Sequence, residues 1–453
     1  MRIKNKFLVA MVIGTFAVIS CDSQLDIDPQ QSIDSEIALN TSDNVVSVLI
    51  GAYNGLSDDD MFGGQFQLEA DLLANSNTAS EVTWTGSFEE PEQIWQKSIL
   101  VENSQVSQTW LASYNTINLA NNVLSALDVV DAGIRGRVEG EAKFIRGVSY
   151  FNLLKLYAQP YSAGNVSTNL GVPIVTEPTT SITEENNVSR GTVEQGYTQV
   201  ISDLTEAESL LPPTNGVFAN ANVAAAFLSR VYLQQENYTG ARDAADRVIG
   251  SDNYSLTGTY AGAFNSGSNT TEDVFSIQVS EQDGANSVNL FYAGSSFGGR
   301  GDVDINATHT AIYEAGDDRL NLFYTDGATR TGKWMDQFAN IGVIRLAEMY
   351  LTRAEGNFRL NETEGDTPLN DLNRIRDRVN LPLYILPTDF DIDDILLERK
   401  LELMFEGQLL HDLKRTQRSI GDIPYDADRI VYPIPQRERD ANPNLDQNSG
   451  YGN

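Results

Sequence analysis

Two histidines, His309 and His411, and one cysteine, Cys21, are all that 453 residues offer for imidazole-driven nucleophile activation or soft metal ligation. A histidine triad and a multi-histidine zinc centre are therefore close to excluded. Carboxylates are abundant, 63 Asp and Glu against 31 Lys and Arg. A pair suited to glycoside hydrolysis is thus always at hand, and its presence discriminates nothing. Glu398, Arg399, Glu402 and Glu406 stand at i, i+1, i+4 and i+8, which puts most of them along one side of a helix. Acid–base work by paired carboxylates is one reading. The favoured reading is an ion-pair network with Arg374, Arg376 and Arg378 that fixes the last helices. Asp302, Asp304 and Asn306 begin like a calcium loop, but Ala307 replaces the required glycine and Tyr313 the closing glutamate. No phosphate-cradling glycine loop or zinc-protease motif is present. The residues describe a binding protein that uses no cofactor and no metal, not an enzyme.

Cys21 has a different use. Arg2, Lys4 and Lys6 precede an apolar run from Phe7 to Ile19, and the cysteine follows Val18-Ile19-Ser20. This is the layout of a secretory signal, and in a bacterial lipoprotein such a cysteine becomes the acylated first residue. The alternative is an ordinary signal followed by a free thiol. Acyl chains at ~0.8 kcal/mol per buried methylene would hold a body on a membrane essentially permanently. Asp22 retains such proteins at the inner membrane in some bacteria. Beyond the signal no apolar run approaches the ~18 residues of a spanning helix. With one cysteine there is no intramolecular disulfide, so stability must come from burial, feasible at this length.

Loss of Arg2, Lys4 and Lys6 with residues 1–20 would take the formal charge from −32 to −35. This argues against nucleic acid as a partner, because its binding rests on Lys and Arg neutralising phosphates. Neutral ligands are favoured over polyanions.

Residues 21–40 are a polar, acidic tether, and Ser42-Asp43 caps a first helix carrying Val45, Leu49, Ala52 and Leu56. From 57 to 104 helical periodicity disappears in a polar stretch holding Trp84, Phe88 and Trp95. Helices are predicted at 105–130, 137–158 and 193–211, with a Pro/Gly/Thr/Asn-rich loop between the last two. Residues 221–250 form a helix pair about Asn237, with Ala241 and Ala245 allowing close approach; the spacing resembles a tetratricopeptide repeat of roughly 34 residues. Residues 251–340 are irregular, with strand-like Val274–Val279. Helical spacing returns at Ile344–Phe358, at 367–379, and through Leu397, Leu401, Met404 and Phe405. Helix pairs thus frame two insertions, 57–104 and 251–340, which are expected to carry specificity.

In the C-terminal third the residues become distinctive. Ile344-Arg345-Leu346-Ala347-Glu348-Met349-Tyr350-Leu351, Leu372-Asn373-Arg374-Ile375-Arg376, Glu398-Arg399-Lys400-Leu401-Glu402-Leu403-Met404-Phe405-Glu406-Gly407, Pro433-Ile434-Pro435 and Asn442-Pro443-Asn444-Leu445-Asp446-Gln447 occur in order, with Gly140-Glu141-Ala142 to Tyr150-Phe151 upstream. Together they resemble the SusD/RagB family of outer-membrane nutrient-binding lipoproteins. The resemblance implies a mostly α fold, a scaffold of tetratricopeptide-like helix pairs with long irregular loop insertions and a few short strands. It also implies one globular unit over 41–453, where length alone suggests two or three. The function implied is capture of an oligosaccharide, or in some members a peptide, at the outer-membrane surface and its delivery to a TonB-dependent channel.

Sugar rings stack on aromatic side chains and their hydroxyls pair with polar ones. Loop aromatics are therefore the expected glycan contacts: Trp84 first, with Phe88, and then Phe291, Tyr292 and Phe297 among Gly294, Gly298 and Gly299. Trp95, Trp110 and Trp334 are expected to pack structurally. No family motif covers these loops. A protein-recruiting tetratricopeptide scaffold is the rival reading, disfavoured by the two tryptophan-bearing insertions.

Overall fold

A computed structural model describes residues 39–75, 80–180, 183–282 and 284–452. The expected signal, Cys21 and all but the last two residues of the tether lie outside them.

The first helix, α1 (Ser42–Leu56), is capped by Thr41, whose side chain accepts the Asn44 N–H, one residue earlier than the sequence suggested. It lies on α4 (Ser104–Ser125), which packs on α5 (Arg135–Tyr157), α6 (Val193–Leu210), α7 (Ala221–Gln234) and α8 (Tyr238–Ile249) in succession. Helix α5 buries Phe144, Val148 and Phe151 as well as Tyr150, Leu153, Leu154 and Tyr157, so neighbours cover it on more than one side. Asn220 and Asn237 cap α7 and α8 with their side chains. The row continues from α8 to α11 (Leu346–Leu360), and α12 (Pro368–Arg378) and α13 (Ile392–Leu403) pack on α11. At the α8–α11 crossing a methyl on Gly356 would fall 2.8 Å from Arg242 Cβ, so glycine sets that approach. One apolar core draws on residues from Val45 to Leu445, with two small satellites. Among the described residues no helix is long and apolar enough to cross a membrane.

Short strands tie the loops. β1 (Val82–Trp84) pairs with β5 (Val303–Ile305), β2 (Leu170–Pro173) with β3 (Arg190–Thr192), β4 (Asp273–Ile277) with β8 (Ile341–Arg345), and β6 (Phe323–Asp326) with β7 (Ala328–Thr331), all antiparallel. Three expectations are corrected. The 57–104 stretch contains α2 (Gln65–Leu73) and α3 (Glu89–Gln96). α2 hides every residue from Phe66 to Leu73, Glu69 and Asp71 included, so it shows no amphipathic period. Ile344 and Arg345 end a strand instead of opening a helix. Met404, Phe405 and Glu406 lie beyond the end of α13, where Phe405 takes a left-handed φ of 64°. The remaining short helices are α9 (Ser287–Tyr292), α10 (Ala307–Thr310), α14 (Leu409–Arg415) and α15 (Gln436–Ala441).

Candidate functional site

The two insertions meet. Val82 stands opposite Ile305, Thr83 opposite Asp304 and Trp84 opposite Val303, so residues far apart in sequence share one ladder. On the side facing the core, Trp84 packs against Phe291 at 5.9 Å between ring centroids and is 5 % exposed. Its indole N–H donates to the Phe88 carbonyl at 3.2 Å. A Cβ on Gly86 would fall 2.5 Å from the indole and 2.7 Å from the Asp302 carboxyl, so only glycine lets this loop lie flat on the ring.

Above that floor Phe88 is 43 % exposed, with the Arg300 guanidinium 4.3 Å from its ring centroid. Arg300 is itself held, through Nε to the Asp302 carboxylate at 2.7 Å and through Nη2 to Ser87 Oγ at 3.3 Å. Three residues before it Phe297 is 39 % exposed and meets half-buried Tyr324 edge-on at 5.1 Å. Three residues of chain reach at most about 11 Å, so Phe297 lies within that span of Arg300 along the same loop.

The loop carrying Phe297 is cinched from the β6–β7 hairpin. Gly294 N–H donates to Tyr324 Oη at 3.0 Å, and Ser296 N–H to the Asp326 carboxylate at 2.9 Å. That backbone N–H holds the Asp326 carboxyl below its usual range. Gln337 donates to Gly298 O, Gly298 sits at φ 78°, and a Cβ on Gly299 would fall 2.1 Å from Ala293 O. The result is a braced face with two exposed rings, a planar guanidinium, and hydroxyl and carboxylate groups beside them. Partly exposed rings flanked by hydrogen-bonding groups suit a flat, hydroxyl-rich ligand.

Of the expected contacts, Phe88 and Phe297 reach this face. Trp84 is corrected from platform to floor, because strand pairing turns it inward. Phe291 and Tyr292 are corrected likewise: both lie on α9, at 7 % and 1 % exposure, and Tyr292 donates to Asp71 at 2.7 Å while packing on Phe405. Trp110 packs between Tyr114 and Tyr157, and the indoles of Trp95 and Trp334 donate to Val82 O and Phe405 O.

The carboxylates bind arginines. Glu398 accepts from Arg319 at 2.7 Å and Arg376 at 3.4 Å, while Glu402 accepts from Arg345 and Arg378. Arg374 is the exception to the expected set, pairing with Asp371 and Asp366. Burial alone would raise the Glu402 carboxyl, but Arg378 and Arg345 overcome it and hold it well below the usual range. Glu348, likewise buried, is held at about 2 by Arg230 and Arg399. Glu402 and Glu348, so firmly ionised, serve as ion-pair partners, not proton donors, whereas burial raises the Glu398 carboxyl despite Arg319. Asp302 and Asp304 are engaged by Arg300 and Arg330, and Asn306 donates to Ser80 O. Among the described residues no group of three or more His, Cys, Asp or Glu side chains is placed to hold a metal ion.

Comparison with known proteins agrees with this architecture. Residues 24–233 match the SusD-like family described as starch-binding and associating with the outer membrane, and residues 320–427 match the SusD family. The chain belongs to the SusD family. It is 24 % identical to SusD-like protein P38 of Formosa agariphila, over 99 % of this chain and all of that one. It is 25 % identical to the starch-binding protein SusD of Bacteroides thetaiotaomicron, over 70 % of this chain and 73 % of that one. A crystal structure of a SusD superfamily protein from Bacteroides thetaiotaomicron superposes with a TM-score of 0.81 at 25 % identity, covering 90 % of this chain and 99 % of the other. A Bacteroides vulgatus SusD superfamily structure reaches 0.82 at 23 % identity, covering 91 % and 100 %.

Arg300, Tyr324 and Asp326 of this SusD-family chain escaped sequence reading. A signal for two of them exists: Gly327, at φ 73° between the paired Asp326 and Ala328, marks a hairpin turn whose first strand carries Tyr324 and Asp326. Arg300 has only its place after Gly298-Gly299.

Proposed function

We propose that this SusD-family protein captures an oligosaccharide at the Phe88–Phe297 face and passes it to a TonB-dependent channel in the outer membrane. It is held there through acylated Cys21 on a tether at 21–40, with a single ligand-binding body over 41–453. The observation that carries the reading is the β1–β5 ladder, which joins both insertions and raises two exposed rings beside Arg300, Tyr324 and Asp326. The starch-binding description of the matched family and of one relative favours a glycan, and a formal charge of −32 favours a neutral one. Binding without chemistry fits Glu402 and Glu348, which arginines hold ionised. A tethered protein meets a membrane partner at high effective concentration, so modest contacts suffice for a lid on the channel.

The test is uptake of the cognate oligosaccharide in a deletion strain complemented with wild type or Cys21→Ser, with fatty-acid labelling and co-purification of a β-barrel in mild detergent. Wild type should be labelled, recover the barrel and restore uptake; the variant should do none of these. A labelled variant removes Cys21 as the anchor. Recovery of wild type alone, with uptake unchanged by deletion, removes the channel.

A further inference from the structure

Between α12 and α13 the chain displays three large aliphatic side chains to solvent: Leu383 at 49 %, Ile385 at 80 % and Leu386 at 55 % exposure. Their exposure is built in. Asn373 on α12 grips Tyr384 at both ends, Nδ2 donating to its carbonyl and Oδ1 accepting its N–H, each at 2.9 Å. The Tyr384 ring turns inward against Phe390 at 5.3 Å, with the Arg376 guanidinium 4.4 Å from its centroid. Asp389 accepts the N–H groups of Ile385 and Leu386 at 2.9 and 2.8 Å, and its own N–H donates to Leu386 O. With Tyr384 taking the inward position, alternation sends its neighbours outward. Backbone already fixed in this way loses little freedom when something docks on it.

The surroundings restrict the occupant. Asp389, Asp391, Asp393 and Asp394 follow within a few residues, and Arg418 offsets only Asp393. An anionic bilayer surface would repel such a collar. A second copy, with the same collar and a chain charge of −32, would too. We propose that the Leu383–Leu386 knuckle is a docking surface for another protein whose aliphatic hollow is bordered by Lys and Arg. This deepens the channel reading by naming a contact surface, and it rests on that reading for bringing the partner near.

The experiment places a benzophenone photo-cross-linker at Ile385 of the full chain in its host cells, with Ile50, another exposed aliphatic, as control position. The cross-linked peptide is sequenced by mass spectrometry. The expected product, from position 385 and not 50, is an aliphatic segment flanked by Lys or Arg in a different protein. Recovery of that protein on wild-type chain should fall at least tenfold with Ile385→Glu/Leu386→Glu, while the melting temperature and glycan affinity stay unchanged. Products on lipid, on a second copy or on an acidic or polar peptide overturn the proposal, as does no product or undiminished recovery with the double variant. If the product meets the expectation but the protein is not a β-barrel, the docking surface stands and the channel reading falls.

Discussion

The indole N–H of Trp84 donates to the carbonyl oxygen of Phe88 across 3.2 Å, and that bond sets the height of the loop that lifts the Phe88 ring into solvent. The two residues should therefore answer mutation differently. Trp84→Ala empties a buried aromatic site and is expected to cost ~3–5 kcal/mol. Trp84→Phe keeps most of the ring but leaves the Phe88 carbonyl without its donor, costing about 1 kcal/mol plus some packing. Phe88→Ala should stay within about 0.5 kcal/mol of wild type, as for surface substitutions generally. Urea denaturation of the three variants checks the ranking, and equal losses for Trp84→Ala and Phe88→Ala would contradict it.

Gly299 is the steric key of the loop bearing Phe297. A Cβ there would lie 2.1 Å from Ala293 O and 2.6 Å from Asn289 O, both backbone atoms. Gly299→Ala must push the loop off its seat, and glycan affinity should fall about tenfold, or ~1.4 kcal/mol. Titration calorimetry beside thermal melting checks this. Unchanged affinity would show that the seating of Phe297 is immaterial.

Arg345 is the hub of the buried ion network. It donates to Glu272 at 2.5 Å, to Glu402 at 3.0 Å and to both oxygens of Glu406 at 3.0 and 2.7 Å, under a Phe264 ring. Arg345→Met would strip a shared cation from three buried carboxylates and is expected to cost 3–5 kcal/mol or to abolish folding, since unpaired buried charge is strongly penalised. Arg374→Met, at a pair with partly exposed Arg374, should cost about 1 kcal/mol or less. Chemical denaturation of the two separates hub from periphery.

Legibility in the sequence followed periodicity. Helices α4 to α8 and α12 stood where the apolar spacing put them, to within a few residues except at the C-terminal end of α4. α2 was invisible because all its faces are buried, with Glu69 and Asp71 inside. The last two residues of β8 were read as helix because Ile344 fits either period. Phe88 and Phe297 were legible as loop aromatics. Trp84 was misplaced because its burial depends on a ladder with Val303, 219 positions away, which no local pattern announces. Arg300 was missed for the same reason: its importance lies in a ring from the other insertion.

Acid strength inside α2 predicts a pH signature. Burial lifts the Glu69 carboxyl to about 8, against hydrogen bonds from Gln105, Tyr432 and Thr109. The folded value lies above the unfolded one, so the contribution is fully present below about pH 4.5 and is lost as pH rises through about 8. Asp71, raised by burial to about 7, acts in the same direction. Other groups titrate too, so the difference between Glu69→Gln and wild type is the clean readout. The variant should gain stability relative to wild type steadily from pH 5 to pH 8. A difference that is flat, or that falls with pH, would mean Glu69 is already ionised in the fold.

The most direct measurement is equilibrium titration of the purified chain with a ladder of neutral oligosaccharides, starting from malto-oligosaccharides, for wild type and Phe88→Ala/Phe297→Ala. Both rings are partly exposed, Phe88 against Arg300 and Phe297 against Tyr324, so the double variant should melt close to wild type. Its affinity for whichever glycan binds should drop at least tenfold, ~1.4 kcal/mol. A cognate glycan held equally well by the double variant, or by no wild-type preparation across the ladder and a matching set of peptides, would contradict the assignment of this face.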